Sequence, residues 1–487
     1  MKTMLILIGI AVVLALALLV AIAAADALNR DVRPTPGPTP PVATPKITRA
    51  TLKNGLPVWV VTRHELPTVN AVLQIKAGAG MDGAKPGLST MTAALLDEGT
   101  ATRSSLEIAK AVDMLGASLS AVGGIEQSSV SLQTLSKHLD PALALMGDIV
   151  VHPAFASDEL ERDRKSRLQS LKQQKDQATT IADKVFNLVV YGEDHPYGHP
   201  IAGTVASVTA ITRDDIAGFY DRYYRPNNAV LIVVGDVTVD QIVPSLEKAF
   251  AGWASKPIPG DVTAAPARPA ARATGVYLVD KPSAAQSEIR IGQPGAARTA
   301  SPDYYALQVL NTALGGQFTS RVNLNLRERH GFTYGARTSW AYRRGDGPFV
   351  ASAGVFTAKT DSSLTEFMRE LKDIRGPRPL APSEADFARN ALLRGYPRRF
   401  ETPDGTAGVL ADLALFGLPD SEISNYLTQI AKVKSDDVTR VASQYLSPDK
   451  MTIVVVGDLA KVRPGIEALN LGTITVLDPD GKPVVAQ

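Results

Sequence analysis

Apolar and polar positions along the chain follow two rhythms. In LPVWVVTRH (56–64), NAVLQIKAGAG (70–80) and EQSSVSLQTL (126–135), short runs rich in β-branched residues predict strands. In LEIAKAVDMLGA (106–117) and DPALALMGDIVV (140–151), apolar residues recur every three to four positions and predict helices. The same alternation returns after residue 274. VYLVDK and EIRIGQ read as strands, YYALQVLNTAL as a helix, and FTYGARTSWAY and GPFVASAGVF as strands again.

The recurrence is a true repeat. ITRDDIAGFYDRYYRPNNAVLIVVGDV at 211–237 has a counterpart in VKSDDVTRVASQYLSPDKMTIVVVGDL at 433–459, a constant offset of 222 residues. Asp214-Asp215 match Asp436-Asp437, Tyr223 matches Tyr445, Pro226 matches Pro448, and Gly235-Asp236 match Gly457-Asp458. Each copy reads as an Asp-opened helix, a Pro-marked turn and a strand ended by Gly-Asp. Two homologous domains are therefore expected at 46–254 and 275–487, joined by the Pro/Ala-rich linker SKPIPGDVTAAPARPAARAT (255–274). The expected class is α+β, with helices packed on a mostly antiparallel sheet in each domain.

The chain begins differently. Lys2 precedes an unbroken apolar run from Met4 to Ala25, long enough to cross a bilayer. Ala23-Ala24-Ala25 suits signal peptidase, so residues 1–25 read as a signal peptide or, uncleaved, as an N-terminal membrane anchor. Residues 26–45 carry six prolines between Pro34 and Pro45 and read as an extended tether. The expected location is outside the cytoplasm, in the periplasm, either soluble or held at the inner membrane by residues 4–25.

Composition narrows the chemistry. A net charge of +2 over 487 residues argues against nucleic acid as a partner, and the lack of cysteine excludes thiolate ligands and a Cys nucleophile. Any metal would need His and carboxylates. Of the six His, His195 and His199 have i,i+4 spacing, but Pro196 and Pro200 disfavour a ligating helix, and HPYGHP reads as a turn on the body of the domain. His64-Glu65 has no second His four residues on. The basic stretch RNALLRGYPRRF (389–400) reads as a solvated helix end, and Trp59, Trp253 and Trp340 as core or rim aromatics.

Several motifs in order carry a resemblance: NGLPVWVV, then GLSTMTAALLDEGT (87–100), YGEDHPYGHPIAGT (191–204), YYRPNNAVLIVVGDV and LGGQFTSRVNLNLRERHGFTYGA (314–336). Together they resemble the pitrilysin/insulinase family of zinc peptidases, in the two-domain form of the mitochondrial processing peptidase subunits and their bacterial homologues. Active members read GL-x-H-x-x-E-H in the first frame, two His holding zinc and the Glu acting as base on its water. Here those positions are Thr90, Ala93 and Ala94, and the region of the third ligand falls on Gln169-Ser170-Leu171, which has no acid. The resemblance thus implies no metal in this chain. It also implies a retained Arg-x6-Tyr pair, Arg327 and Tyr334, which in the family faces zinc from the other domain and can donate hydrogen bonds to a tetrahedral intermediate. Taken alone, Arg327 reads as a solvated helix residue and Tyr334 as a packed strand residue.

A chain with an empty zinc frame and an intact Arg/Tyr segment resembles the non-zinc subunit of a heterodimeric peptidase. The expected partner is a homologous zinc-bearing (H-x-x-E-H) subunit, and the expected substrate is peptide or unfolded protein held by backbone pairing at a sheet edge. The alternatives are a non-catalytic peptide-binding or scaffold protein of the same fold, and an independent zinc peptidase, which would need ligands the sequence lacks.

Overall fold

The computed structural model describes residues 37, 44–260, 264–269, 275–299 and 302–484. The expected signal or anchor, most of the tether and parts of the linker lie outside the described residues. In the first half β1 (Thr48–Thr51), β2 (Pro57–Thr62) and β3 (Thr68–Ile75) precede α1 (Leu88–Ala94) and α2 (Ser105–Met114). Strands β4 (Ser118–Gly123) and β5 (Ser128–Leu135) lead to α3 (Leu139–Val151), α4 (Ser157–Gln174), α5 (Ala178–Tyr191), α6 (Val205–Ala210) and α7 (Arg213–Tyr223), and β6 (Ala229–Gly235) and α8 (Val239–Ala249) close it. The second half runs β7 (Gly275–Asp280), β8 (Gln286–Pro294), α9 (Tyr304–Leu314), then α10 (Arg321–Asn323), which continues as a π-helix over Leu324–Arg329. After β9 (Thr333–Trp340) and β10 (Pro348–Phe356) come α11 (Thr360–Asp373), α12 (Pro382–Gly395), α13 (Pro403–Phe416), α14 (Ser421–Lys432) and α15 (Ser435–Tyr445). Strand β11 (Thr452–Gly457), α16 (Leu459–Ala468) and β12 (Thr473–Leu477) complete the chain.

The strands form two six-stranded sheets, ordered β1-β2-β6-β3-β5-β4 and β12-β7-β11-β8-β10-β9. In the first, only β2 and β6 pair in parallel, so the sheet is mostly antiparallel as expected. Strands β6 and β11 are the LIVVGD and TIVVVGD runs, and they read as unbroken apolar stretches because both their faces are covered. Leu231 and Val233 enter the core of the first half, while Val230, Ile232 and Val234 point the other way.

What covers those second faces could not be foreseen. Helix α13, from the second half of the sequence, lays Ala407 and Leu410 on Val230, Ile232 and Val234 of the first sheet. Helix α5, from the first half, lays Val185, Phe186 and Val189 on the second sheet, against Val279, Val454 and Val456. The two halves thus exchange equivalent helices. Fit is tight: a Cβ on Gly292 of β8 would come within 2.7 Å of the Phe186 ring and 2.1 Å of Phe349 O. Trp253 and Trp340 are core residues, 2% and 8% exposed, whereas Trp59 is partly buried under the Arg49 guanidinium, 4.6 Å from its ring centre.

Candidate functional site

Helix α1 carries the frame in which the resemblance looks for zinc. It starts at Gly87, whose φ of 97° is open to glycine and whose Cβ, if present, would press to 3.0 Å on Gly203 Cα. The Asp82 carboxylate, 5% exposed, accepts from Gly87 N at 2.7 Å and Ser89 N at 2.8 Å, satisfying donors that a helix start leaves unpaired. Burial pushes Asp82 up to about 6 against the pull of those hydrogen bonds. At the far end of the frame, Thr100 Oγ1 donates to Asp148 on α3 at 2.9 Å.

Between these fixed ends, the motif positions are filled by something other than a metal. Thr90 Oγ1 lies 2.9 Å from Ile201 O and 3.0 Å from Gly87 O. It accepts from Arg167 Nη1 at 3.2 Å, and Arg167 Nη2 donates to Thr90 O at 3.1 Å. Asp163, one turn earlier on α4, holds Arg167 Nε at 2.6 Å. Ala93 is fully buried and Ala94 half-buried, each offering only a methyl group. A hydroxyl, two methyls and a permanently cationic guanidinium do not fit a zinc ion, which needs several lone-pair donors and would be repelled by Arg167. Among the described residues, no cluster of three or more His, Asp or Glu is arranged for a metal. Sequence reading placed attention one turn away, on Gln169-Ser170-Leu171, and missed Arg167; a basic residue on α4 in register with Thr90 was the available signal.

Strand β4 runs beside this frame as the outermost strand of its sheet, every residue at least partly exposed. A Cβ on Gly123 would lie 2.8 Å from Thr90 Cα, so the strand passes directly under the motif helix. Among the described residues, the backbone of Ser118–Gly123 bonds only to β5, which leaves its outer side open. The equivalent strand β9 is closed off: Thr338 N donates to Gly315 O at 3.1 Å and Ala336 N to Asn323 Oδ1 at 3.0 Å.

The Arg/Tyr segment is built by helix, turn and strand. Arg321, 8% exposed, is structural, held by both oxygens of Glu384 at 2.8 and 2.7 Å and by the carbonyls of Arg378 and Pro379. Asn323 ties the helix to β9, and Gly331, at φ 64°, makes the turn. Arg327 sits on the π-helix, a widened turn that recurs at functional sites. Its guanidinium stacks 4.5 Å over the Phe318 ring and pairs with neighbouring Glu328 at 3.2 Å. Tyr334 is 77% exposed and meets the edge of Phe356, with ring centres 6.1 Å apart. Phe318 and Phe356 are themselves exposed. Tyr334 therefore faces solvent, and Arg327 is partly exposed, beside an uncovered aromatic surface.

HPYGHP is a turn packed on the body of its own domain, and it also meets the other half. Tyr197 Oη donates to buried Glu126 at 2.5 Å and accepts from Gly345 N at 3.1 Å, while Glu126 also accepts from Arg344 N. Tyr191 Oη reaches Asp346 O at 2.8 Å, and the Arg343 guanidinium lies 4.4 Å over the Tyr197 ring. His195 Nε2 stands 3.0 Å from Ala267 O in the linker, and burial lowers its pKa. In RNALLRGYPRRF, Arg399 pairs with Asp412 and Arg389 with Asp386 and Val433 O, as a solvated helix end would.

Two models of one family match in succession: the one described as insulinase (peptidase family M16) on residues 58–204, and the one described as peptidase M16 inactive domain on 210–392. Among similar chains, a protein of Mycobacterium leprae named as a zinc protease is 28% identical over 407 residues, 82% of this chain and 89% of that one. One of Streptomyces coelicolor, named likewise, is 27% identical over 420 residues, 85% of this chain and 90% of that one. A solved structure from Pseudomonas fluorescens, titled a peptidase M16 inactive domain, superposes with a TM-score of 0.79 at 26% identity, over 85% of this chain and 98% of that one. A protease structure from Helicobacter pylori shares the fold, with a TM-score of 0.78 at 22% identity over 85% of this chain and 99% of that one. With both family models in tandem and the same two-sheet architecture, the chain belongs to the insulinase family, peptidase family M16.

Proposed function

We propose that this chain is the non-zinc subunit of a heterodimeric M16 peptidase, supplying Arg327 and Tyr334 to substrate and transition state at a zinc ion held by a homologous partner. The observation that carries the reading is the contrast between the two segments. Arg167 plugs the frame at Thr90, Ala93 and Ala94, while Tyr334 is 77% exposed on its strand and Arg327, partly exposed on the π-helix, is engaged by the exposed ring of Phe318 and by its neighbour Glu328. When bound in the partner, zinc would activate the attacking water. The guanidinium and phenol of this chain would donate to the oxyanion or to the adjacent substrate carbonyl.

The open edge of β4 supports a second role in the same complex, or without it. An extended peptide added to β4 would gain main-chain hydrogen bonds with little demand on its sequence. Because Arg167 bonds the Thr90 that this strand passes, and no metal-ligating cluster is found among the described residues, a peptide bound there to this chain alone would be held and not cut. We further propose that the protein works outside the cytoplasm, on the strength of the apolar run at residues 4–25.

Co-purification of the tagged chain from its native extract tests the proposal, with zinc content and peptidase activity measured on the eluate. The expected result is a homologue carrying H-x-x-E-H, about one zinc per pair, and activity absent from either chain alone. In that complex Arg327→Ala should lower kcat roughly a hundredfold, the scale for loss of an oxyanion donor. Tyr334→Phe should lower it less, and assembly should persist in both. Unchanged turnover in both variants would remove the catalytic role. An eluate without homologue or activity that still retains unfolded peptide would favour the binding protein.

A further inference from the structure

A cavity of about 730 Å³ runs along α5 on the side of α4 and α6, a volume in the range of small-molecule sites. Its walls are apolar in the middle, where Leu171, Ile181, Leu188 and Val205 line it, and charged at two separated places. At one, Lys175 and Lys184 pair with Asp480, and Lys482 also lines the wall, so lysines outnumber the carboxylate there. Asp480 accepts from Lys175 Nζ at 2.6 Å and Lys184 Nζ at 2.8 Å, and the turn that carries it is pressed on α5 at Gly481, whose φ is 84° and whose Cβ would meet Leu188 Cδ2 at 2.4 Å. At the other place, just beyond the C-terminal end of α5, stands Glu193, exposed and with no ion pair among the described residues.

The fold does not require this space. The repeat places α12, α13 and α14 in the same relation in the second half, and there tyrosines 304, 396 and 426 fill the region down to about 270 Å³. Seven residues of helix lead from Lys184 to Tyr191, about 10 Å at the α-helical rise, and Glu193 stands two residues further on, past the break at Gly192. Together that is the span of four to five extended residues. A ligand with an anion at one end, a cation at the other and apolar groups between is complementary to this wall.

We propose that the cavity binds short apolar peptides of about four to five residues by their free ends, the terminal carboxylate at Lys175, Lys184 and Lys482 and the terminal ammonium at Glu193. The proposal takes peptide as the ligand class from the function proposed above; the spacing and sign of the charges come from the cavity itself. Such a site would retain products of hydrolysis and exclude the interior of a longer chain, which lacks both terminal charges.

Calorimetric titration of the full-length chain without a partner tests it, using the pentapeptide Leu-Ala-Val-Ala-Leu with free ends, its N-acetyl form and its C-terminal amide. The free peptide should bind at one per chain, and each capped form at least tenfold more weakly. Glu193→Gln, at an exposed position, should erase the difference between free and acetylated peptide. Lys482→Gln should weaken the free acid several-fold and leave the amide unaffected. Equal affinity for free and capped forms would overturn the proposal, as would the absence of saturable binding at millimolar peptide. It would also fall if both variants left the pattern unchanged, which would place the peptide elsewhere, for example on β4. Binding of laurate in a Lys482-dependent manner without peptide binding would overturn it in favour of an anionic amphiphile. No peptidase assay enters, so failure here leaves the role of Arg327 untouched, and an inactive complex leaves this titration intact.

Discussion

Replacing Phe186 with alanine should destabilise the half of the molecule to which Phe186 does not belong in sequence. The ring is 3% exposed, packed in the cluster that joins α5 to Val279, Val454 and Val456 of the second sheet. Phe→Ala at a buried site costs about 3–5 kcal/mol through lost transfer energy and the cavity left behind. Here the cavity has little room to collapse, because its floor is the β8 backbone at Gly292, itself wedged against Phe349 O. The expected loss is therefore toward the upper end, about 5 kcal/mol, a large share of the 5–15 kcal/mol of an ordinary fold. Hydrogen exchange by mass spectrometry, alongside urea unfolding, reads the effect by segment. Amides of β8 (Gln286–Pro294) and β11 (Thr452–Gly457) should lose protection together with α5. If protection falls in the first sheet and the second keeps its wild-type rates, the helix exchange does not carry the energy assigned to it.

Three further outcomes follow from the same structure. Tyr197→Phe strips a hydrogen bond from buried Glu126 and leaves Gly345 N unpaired at the seam of the two halves, so stability should drop by about 1–3 kcal/mol in chemical denaturation; no change would mean that the seam is hydrated. Arg167→Met removes both bonds to Thr90 and should cost about 1–2 kcal/mol without creating zinc affinity, and a chelator should leave the melting temperature of either protein where it was. Burial raises Asp97 to about 6, above the usual ~3.9 of the unfolded chain, so its contribution is present below pH ~4 and lost as pH rises through about 6. Asp97→Asn should accordingly gain on wild type by roughly 2 kcal/mol between pH 4 and 7, as unfolding free energies at stepped pH would show; parallel profiles would refute the shift.

The repeat and the sheets were legible because strands buried on both faces, such as Leu231–Val234 and Ile453–Val456, leave unbroken apolar runs, and the Asp-Asp helix openings recur at a fixed offset. The destination of α5 was not, since Val185, Phe186 and Val189 give one apolar stripe that suits either sheet, and nothing local marks the distant one. The loss of the zinc frame followed from residue identities at Thr90, Ala93 and Ala94. Its replacement did not, because Arg167 meets Thr90 across 77 positions of sequence. Strand β4 went unnoticed for a chemical reason: SLSAVG has weak alternation and small side chains, suited to an edge passed closely by a helix. Exposure of Arg327 and Tyr334 likewise depends on Phe318 and Phe356, which reach them from separate elements.

The exchange of α5 and α13 also sets a timetable for synthesis. When β6 leaves the ribosome at Gly235, one face of its sheet has no cover, and the helix that will cover it begins only at Pro403. At ordinary elongation rates of 5–20 residues per second the nascent chain carries that bare face for roughly ten to thirty seconds. Helix α5 meanwhile waits for a sheet whose first strand has not been made. Neither half can finish folding as it emerges, so the window for capture by chaperones, or for mispairing between neighbouring nascent chains, stays open until most of the polypeptide exists.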